Sequence, residues 1–140
     1  MHRATATIGA AALIFATLTT AAPPTAVARP NYEPYGHTSS TDHTLKPGCS
    51  TYRFSYEVDA PTEEWSAEFT LVNPNGRDLQ SYFIDAASDP KRTTIRWPAA
   101  ICRSSTTYGR HKIKMRVIWQ EGRDNFTAVV KPSFFRFTRP

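Results

Sequence analysis

The sequence predicts an all-β domain: an antiparallel two-sheet sandwich of six or seven short strands, closed by one disulfide. Three observations predict it. Apolar and polar residues alternate with period two over most of residues 52–137, and turns bearing Pro or Gly separate the alternating runs. No apolar pattern of helical period occurs between them. The only two cysteines, Cys49 and Cys102, admit a single pairing.

Residues 1–28 read as a signal peptide. His2 and Arg3 give a positive start, Ile8–Leu18 is an uncharged apolar run, and Ala26-Val27-Ala28 supplies the small residues a signal peptidase requires. Cleavage after Ala28 leaves Arg29 first; a cut after Ala22 would put Pro23 at the next position. The 11-residue apolar run is too short to cross a bilayer, which takes about 20 residues. No second apolar stretch follows it, so the expectation is a secreted, extracellular protein with no transmembrane segment after cleavage. Export favours the oxidised pair Cys49–Cys102. Closing a loop of about fifty residues contributes up to about 4 kcal/mol. A metal site built on these cysteines would need further ligands at short spacing, and none lie near either. The excess of Arg over Lys and the Ala- and Thr-rich leader suit a high-GC bacterial source. Asn125-Phe126-Thr127 spells a glycosylation acceptor, which would be idle in a bacterial product.

Residues 29–48 are polar, rich in Pro, Ser, Thr and His, and lack an apolar period, which predicts a flexible N-terminal arm with a short edge strand near its end. Residues 49–140 form the sandwich domain. Tyr52, Phe54, Tyr56 and Val58 alternate with Arg53, Ser55 and Glu57, and Pro61 ends this strand. Trp65, Ala67, Phe69 and Leu71 face inward on the next, which stops at the turn Asn73-Pro74-Asn75-Gly76. Leu79–Ile84 and Thr93–Trp97 follow, with Ile95 and Trp97 inward. The longest strand, Tyr108–Trp119, alternates Ile113, Met115, Val117 and Trp119 with Arg110, Lys112, Lys114 and Arg116. After the turn at Glu121-Gly122-Arg123-Asp124, Phe126, Ala128 and Val130 point inward on even positions but Phe135 and Phe137 on odd ones. That change of parity around Pro132 predicts a bulged or edge final strand.

In number and spacing these strands resemble an immunoglobulin-like or fibronectin type III-like pattern. A Trp after the first cysteine fits that arrangement, with Trp65 expected to pack on the disulfide. Cys102 departs from it by lying in a connection before the long strand. In such a sandwich the strand after Cys49 pairs antiparallel with the strand ending near Trp97, which brings both cysteines to one end.

Charge is unevenly divided. Residues 29–89 carry four basic and ten acidic side chains, whereas residues 90–140 carry twelve basic and two acidic ones. Arg110, Lys112, Lys114 and Arg116 share one face of one strand, because successive side chains alternate. If the Trp65 strand lies beside this one, Glu64 and Glu68 face the same way and neutralise about half of the ladder. What remains is a candidate surface for an anionic cell-envelope polymer or an acidic protein. Nucleic acid is the weakest partner, since the aromatics that could stack on bases are mostly inward.

No nucleophile elbow, HExxH helix, phosphate-binding Gly-rich loop or dinucleotide fingerprint occurs, so the expectation is no enzyme and no cofactor. His37, Asp42, His43 and His111 could compose a metal or acid–base site only if the arm were held rigid. Glu63 and Glu64 are adjacent in the chain and point to opposite faces, so they cannot flank one bond. Asn73, Asn75 and Asp78 offer oxygens for calcium, though a plain turn needs the same residues. The leading expectation is a non-catalytic binding or structural module. A carbohydrate-binding module would use exposed aromatics; Trp65, Trp97 and Trp119 are in the inward register, leaving Tyr32, Tyr35, Tyr82, Tyr108 and Phe134. A secreted protease inhibitor would present Arg103 from the loop that Cys102 pins.

Overall fold

Alternation places large apolar side chains on one face of each strand, and the computed structural model shows how those faces are covered. It describes residues 31–140; the predicted leader and its cleavage point lie outside the described residues. The strands are β1 (Gly36–Ser39), β2 (His43–Thr44), β3 (Cys49–Ser50), β4 (Arg53–Val58) and β5 (Trp65–Val72). They continue as β6 (Asp78–Asp85), β7 (Arg92–Arg96), β8 (Ile101–Cys102), β9 (Gly109–Glu121) and β10 (Asp124–Thr138). Among the described residues there is no helix, hence none long and apolar enough to cross a membrane.

A three-stranded sheet, β1-β4-β7, faces a five-stranded sheet, β2-β10-β9-β5-β6, which curls into a half-barrel. All pairings are antiparallel except β2 with β10, which is parallel and makes the larger sheet mixed. Phe54 and Tyr56 of β4 meet Phe69 of β5 with ring centroids 5.2 and 5.1 Å apart, and Tyr52 meets Phe137 at 4.6 Å. These contacts between sheets remove most of the large apolar surface from water, the main stabilising term in a domain of this size.

The disulfide joins Cys49 and Cys102, which face each other in the two-residue β3–β8 ladder. β4 and β7 pair as the sequence predicts, Arg53 opposite Arg96, so the cysteines meet at one end. The tryptophan at that end is Trp97, not Trp65. Trp97 donates its backbone N–H to the Tyr52 carbonyl and stacks on Phe54 at 4.3 Å. Trp65 lies opposite Trp119, at the far end of the larger sheet from Phe137 and Gly109.

Residues 36–45 are tied into both sheets, with β1 and β2 as edge strands. β1 pairs with β4, β2 pairs with the end of β10, and Leu45 is fully buried and bonded through its N–H to the Thr138 carbonyl. Thr38 is buried where its hydroxyl meets Ser133 Oγ at 2.6 Å, and that contact seats β1 over the irregular part of β10. There the register shifts between Val130 and Ser133, as the change in parity requires. The last strand is therefore bulged; β9 pairs with it from Asp124 to Phe137, while β2 covers only Phe137 and Thr138 of its other side and leaves the rest of that side an edge. Phe126 departs from the inward reading. It is 41% exposed near the β9–β10 turn, where its ring stacks on Trp119 at 5.6 Å.

Candidate functional site

β9 runs through the centre of the larger sheet, with Ile113, Met115, Val117 and Trp119 buried. Its other face therefore points to solvent and carries Arg110, Lys112, Lys114 and Arg116. Neighbouring strands decide which of these charges are balanced. Glu68 of β5 stands opposite Arg116 and accepts from its guanidinium at 2.5 Å. Asp78 of β6 accepts from Lys114 Nζ at 3.0 Å. Glu68 was legible from the alternation of β5. Asp78 was not, because its position depends on the β5–β6 register, which shifts between Leu71 and Val72. Glu64 makes no ion pair with the ladder; its backbone carbonyl instead accepts from the Gln120 N–H.

The other two cations have no carboxylate within ion-pair distance among the described residues. Arg110 lies 3.7 Å over the ring of Phe134, a cation–π contact that leaves its charge in place. Opposite it stands Arg136 on β10, a second cation. Lys112 lines a groove of about 320 Å³ on this face, with Tyr32 and Pro132 on one side and Glu68, Lys114 and Arg116 on the other. Tyr32 is held there because Glu33 donates its N–H to the Val129 carbonyl along the edge of β10. The groove thus combines a half-exposed aromatic ring, an unpaired ammonium and two cations already paired.

The remaining candidates are dispersed. His37 lies beside Glu57, whose carboxyl is held below its ordinary range first by the Arg92 hydrogen bond and also by the charges of Arg92 and His37. Asp42 accepts the Arg136 backbone N–H at 2.7 Å. His43 packs against Tyr52, Phe135 and Phe137. His111 is buried, with ring nitrogens 2.7 Å from Thr106 Oγ1 and 3.1 Å from the Gly109 carbonyl oxygen. No three His, Cys, Asp or Glu side chains converge on a metal position among the described residues.

Asn73 Oδ1 accepts from the Asn75 and Arg77 amides, closing the turn that its sequence suggested. Glu63 pairs with Lys91 at 2.9 Å. Arg103 folds back to lie 4.8 Å over Tyr108 and donates its backbone N–H to Gly48. All three tryptophans are buried; Tyr35, Tyr82 and Tyr108 are half-buried, while Tyr32 and Phe134 are exposed as expected. Sequence reasoning missed Phe83, which is 56% exposed opposite Glu68 on β6 and continues the outer face. No protein-family model matches the chain, and no curated protein is significantly similar to it.

Proposed function

We propose that the chain is a secreted, non-catalytic binding module that engages an anionic partner, a cell-envelope polymer or an acidic protein, through the outer face of the larger sheet. The observation that carries this reading is the groove beside Lys112, where an ammonium without a carboxylate partner sits between Tyr32, Pro132 and the rest of the ladder. An anion placed there meets cations held on a central strand, since β9 is paired on both sides, by β10 and by β5. The leader-like residues 1–28 and the disulfide support an extracellular setting. The two facing layers are read here as an immunoglobulin-like sandwich, with the connection through Cys102 as its departure from that pattern.

Co-sedimentation of residues 29–140 with anionic cell-envelope polymer tests the reading. Binding at low salt should be lost at high salt, and Lys112→Glu should weaken it by roughly tenfold. Binding that ignores both salt and the substitution would end this reading. It would favour the carbohydrate-binding alternative, for which Tyr32, Phe83 and Phe134 are exposed rings on the same face.

A further inference from the structure

The outer face of the smaller sheet carries a second, different charge arrangement. On β4 and β7 the directly opposed pairs follow one another along the ladder. Glu57 faces Arg92 and forms an ion pair with it, and Ser55 faces Thr94 with hydroxyls 2.6 Å apart. The next such pair is Arg53 opposite Arg96. Complementary cross-strand pairing thus holds at two positions and fails at the third, where two like charges face each other, an arrangement that destabilises a sheet. Neither arginine has a carboxylate within ion-pair distance among the described residues.

The same two arginines line a hollow of about 390 Å³. Lys46 adds a third cation, and the rest of the lining is His43, Tyr52 and the threonines Thr41, Thr44 and Thr51. No carboxylate lines it. Asp42, between Thr41 and His43 in the sequence, is not part of the lining; its carboxylate accepts the Arg136 backbone N–H. Arg96 Nη1 donates to Thr51 Oγ1 at 3.0 Å, which holds its planar fork at the rim.

We propose that this hollow binds a tetrahedral oxyanion, a phosphate or sulfate group, clamped between Arg53 and Arg96 with Lys46 and the threonine hydroxyls around it. Guanidinium forks match such anions through paired N–H donors, which single ammonium groups do not. A bound dianion would also turn the Arg53–Arg96 repulsion into two attractions. The hollow shares no lining residue with the Lys112 groove and stands or falls independently of it.

Thermal melts and calorimetric titrations of residues 29–140 with inorganic phosphate and sulfate, against acetate at matched ionic strength, test the proposal. Phosphate should raise Tm in a concentration-dependent, saturable way and acetate should not. Arg53→Gln and Arg96→Gln should each weaken phosphate binding by roughly tenfold or more. Without anion, Arg53→Gln should melt no lower than the parent, because the substitution removes a repulsion, and Arg96→Gln, which also gives up its bond to Thr51 Oγ1, should still melt cooperatively; these outcomes show that both variants fold. Lys131→Gln, which removes one charge from β10, should leave phosphate binding unchanged.

A short polyphosphate separates the sources. Tighter binding than inorganic phosphate would assign the site to a phosphate carried on a polymer, and equal binding to a free or terminal group. Equal stabilisation by acetate, or phosphate binding that survives Arg96→Gln, would overturn the proposal.

Discussion

Acidification should weaken the fold through one buried ring. His111 is fully buried, stacked on Phe135 at 5.5 Å and edge-on to Phe137 at 4.7 Å. Burial holds its pKa below the ordinary value of 6.5, against the weaker opposing pull of the Gly109 carbonyl. The unfolded chain takes up the proton near pH 6.5, and the folded chain only at lower pH. Between those two points the unfolded state binds more protons, so stability falls as pH falls. For one proton the slope cannot exceed about 1.4 kcal/mol per pH unit. Well above the ordinary value both states are neutral and the contribution is constant.

The assay is urea unfolding from pH 8 to pH 5 on the parent and on His111→Leu. Leucine keeps apolar packing but strips Thr106 Oγ1 and the Gly109 carbonyl of their partner, a loss of about 1–3 kcal/mol at neutral pH. The parent should then lose stability below pH 6.5 faster than the variant, so that the gap between them narrows on acidification. His37 and His43 are common to both proteins and cancel in the difference. Parallel curves for the two proteins would refute the reasoning.

Three further perturbations probe the framework. Phe69→Ala removes the ring that meets Phe54, Tyr56 and Tyr82, and should lower the free energy of unfolding by about 3–5 kcal/mol in denaturant melts. Gly36 has φ +145°, and a Cβ there would sit 2.3 Å from the Glu57 carbonyl oxygen. Gly36→Ala should therefore cost more than the roughly 0.5 kcal/mol of an ordinary surface change, read as a lower Tm. Replacing both cysteines with serine should remove up to about 4 kcal/mol, because the loop they close spans 53 positions and the β3–β8 ladder alone has two residue pairs. Parent-like stability of that double variant would show that the β4–β7 pairing closes the loop unaided.

Alternation reports which face of a strand is buried, and that is what the sequence conveyed best. The inward sets of β4, β5 and β9 are buried as read, and the parity change at Pro132 marks a real bulge. Alternation does not report which strand lies alongside, nor in what register. That is why Glu64 was paired with the ladder in place of Asp78, and why Trp65 was set against the disulfide where Trp97 stands. β1 was hidden for a related reason. Its inward residue is Thr38, polar and satisfied by Ser133 from far along the chain, so no apolar period marks it. The Arg53–Arg96 hollow was invisible because Lys46, Arg53 and Arg96 become neighbours only through the β4–β7 register and the docking of β2.

The parallel pairing of His43 and Thr44 with Phe137 and Thr138 has a consequence for the order in which the chain folds. A polypeptide emerges from its N-terminal end, and β2 has no partner until Phe137 and Thr138 have appeared. β5 likewise waits for β9, since Trp65 pairs with Trp119. Only the β5–β6 and β9–β10 hairpins and the β1–β4 pair are local enough to form early, and each exposes an apolar face by itself. Long-range closure of this kind belongs to domains that fold in milliseconds to seconds, not microseconds. β10 therefore acts as a clasp: until it closes, β2 remains an unpaired strand open to other chains.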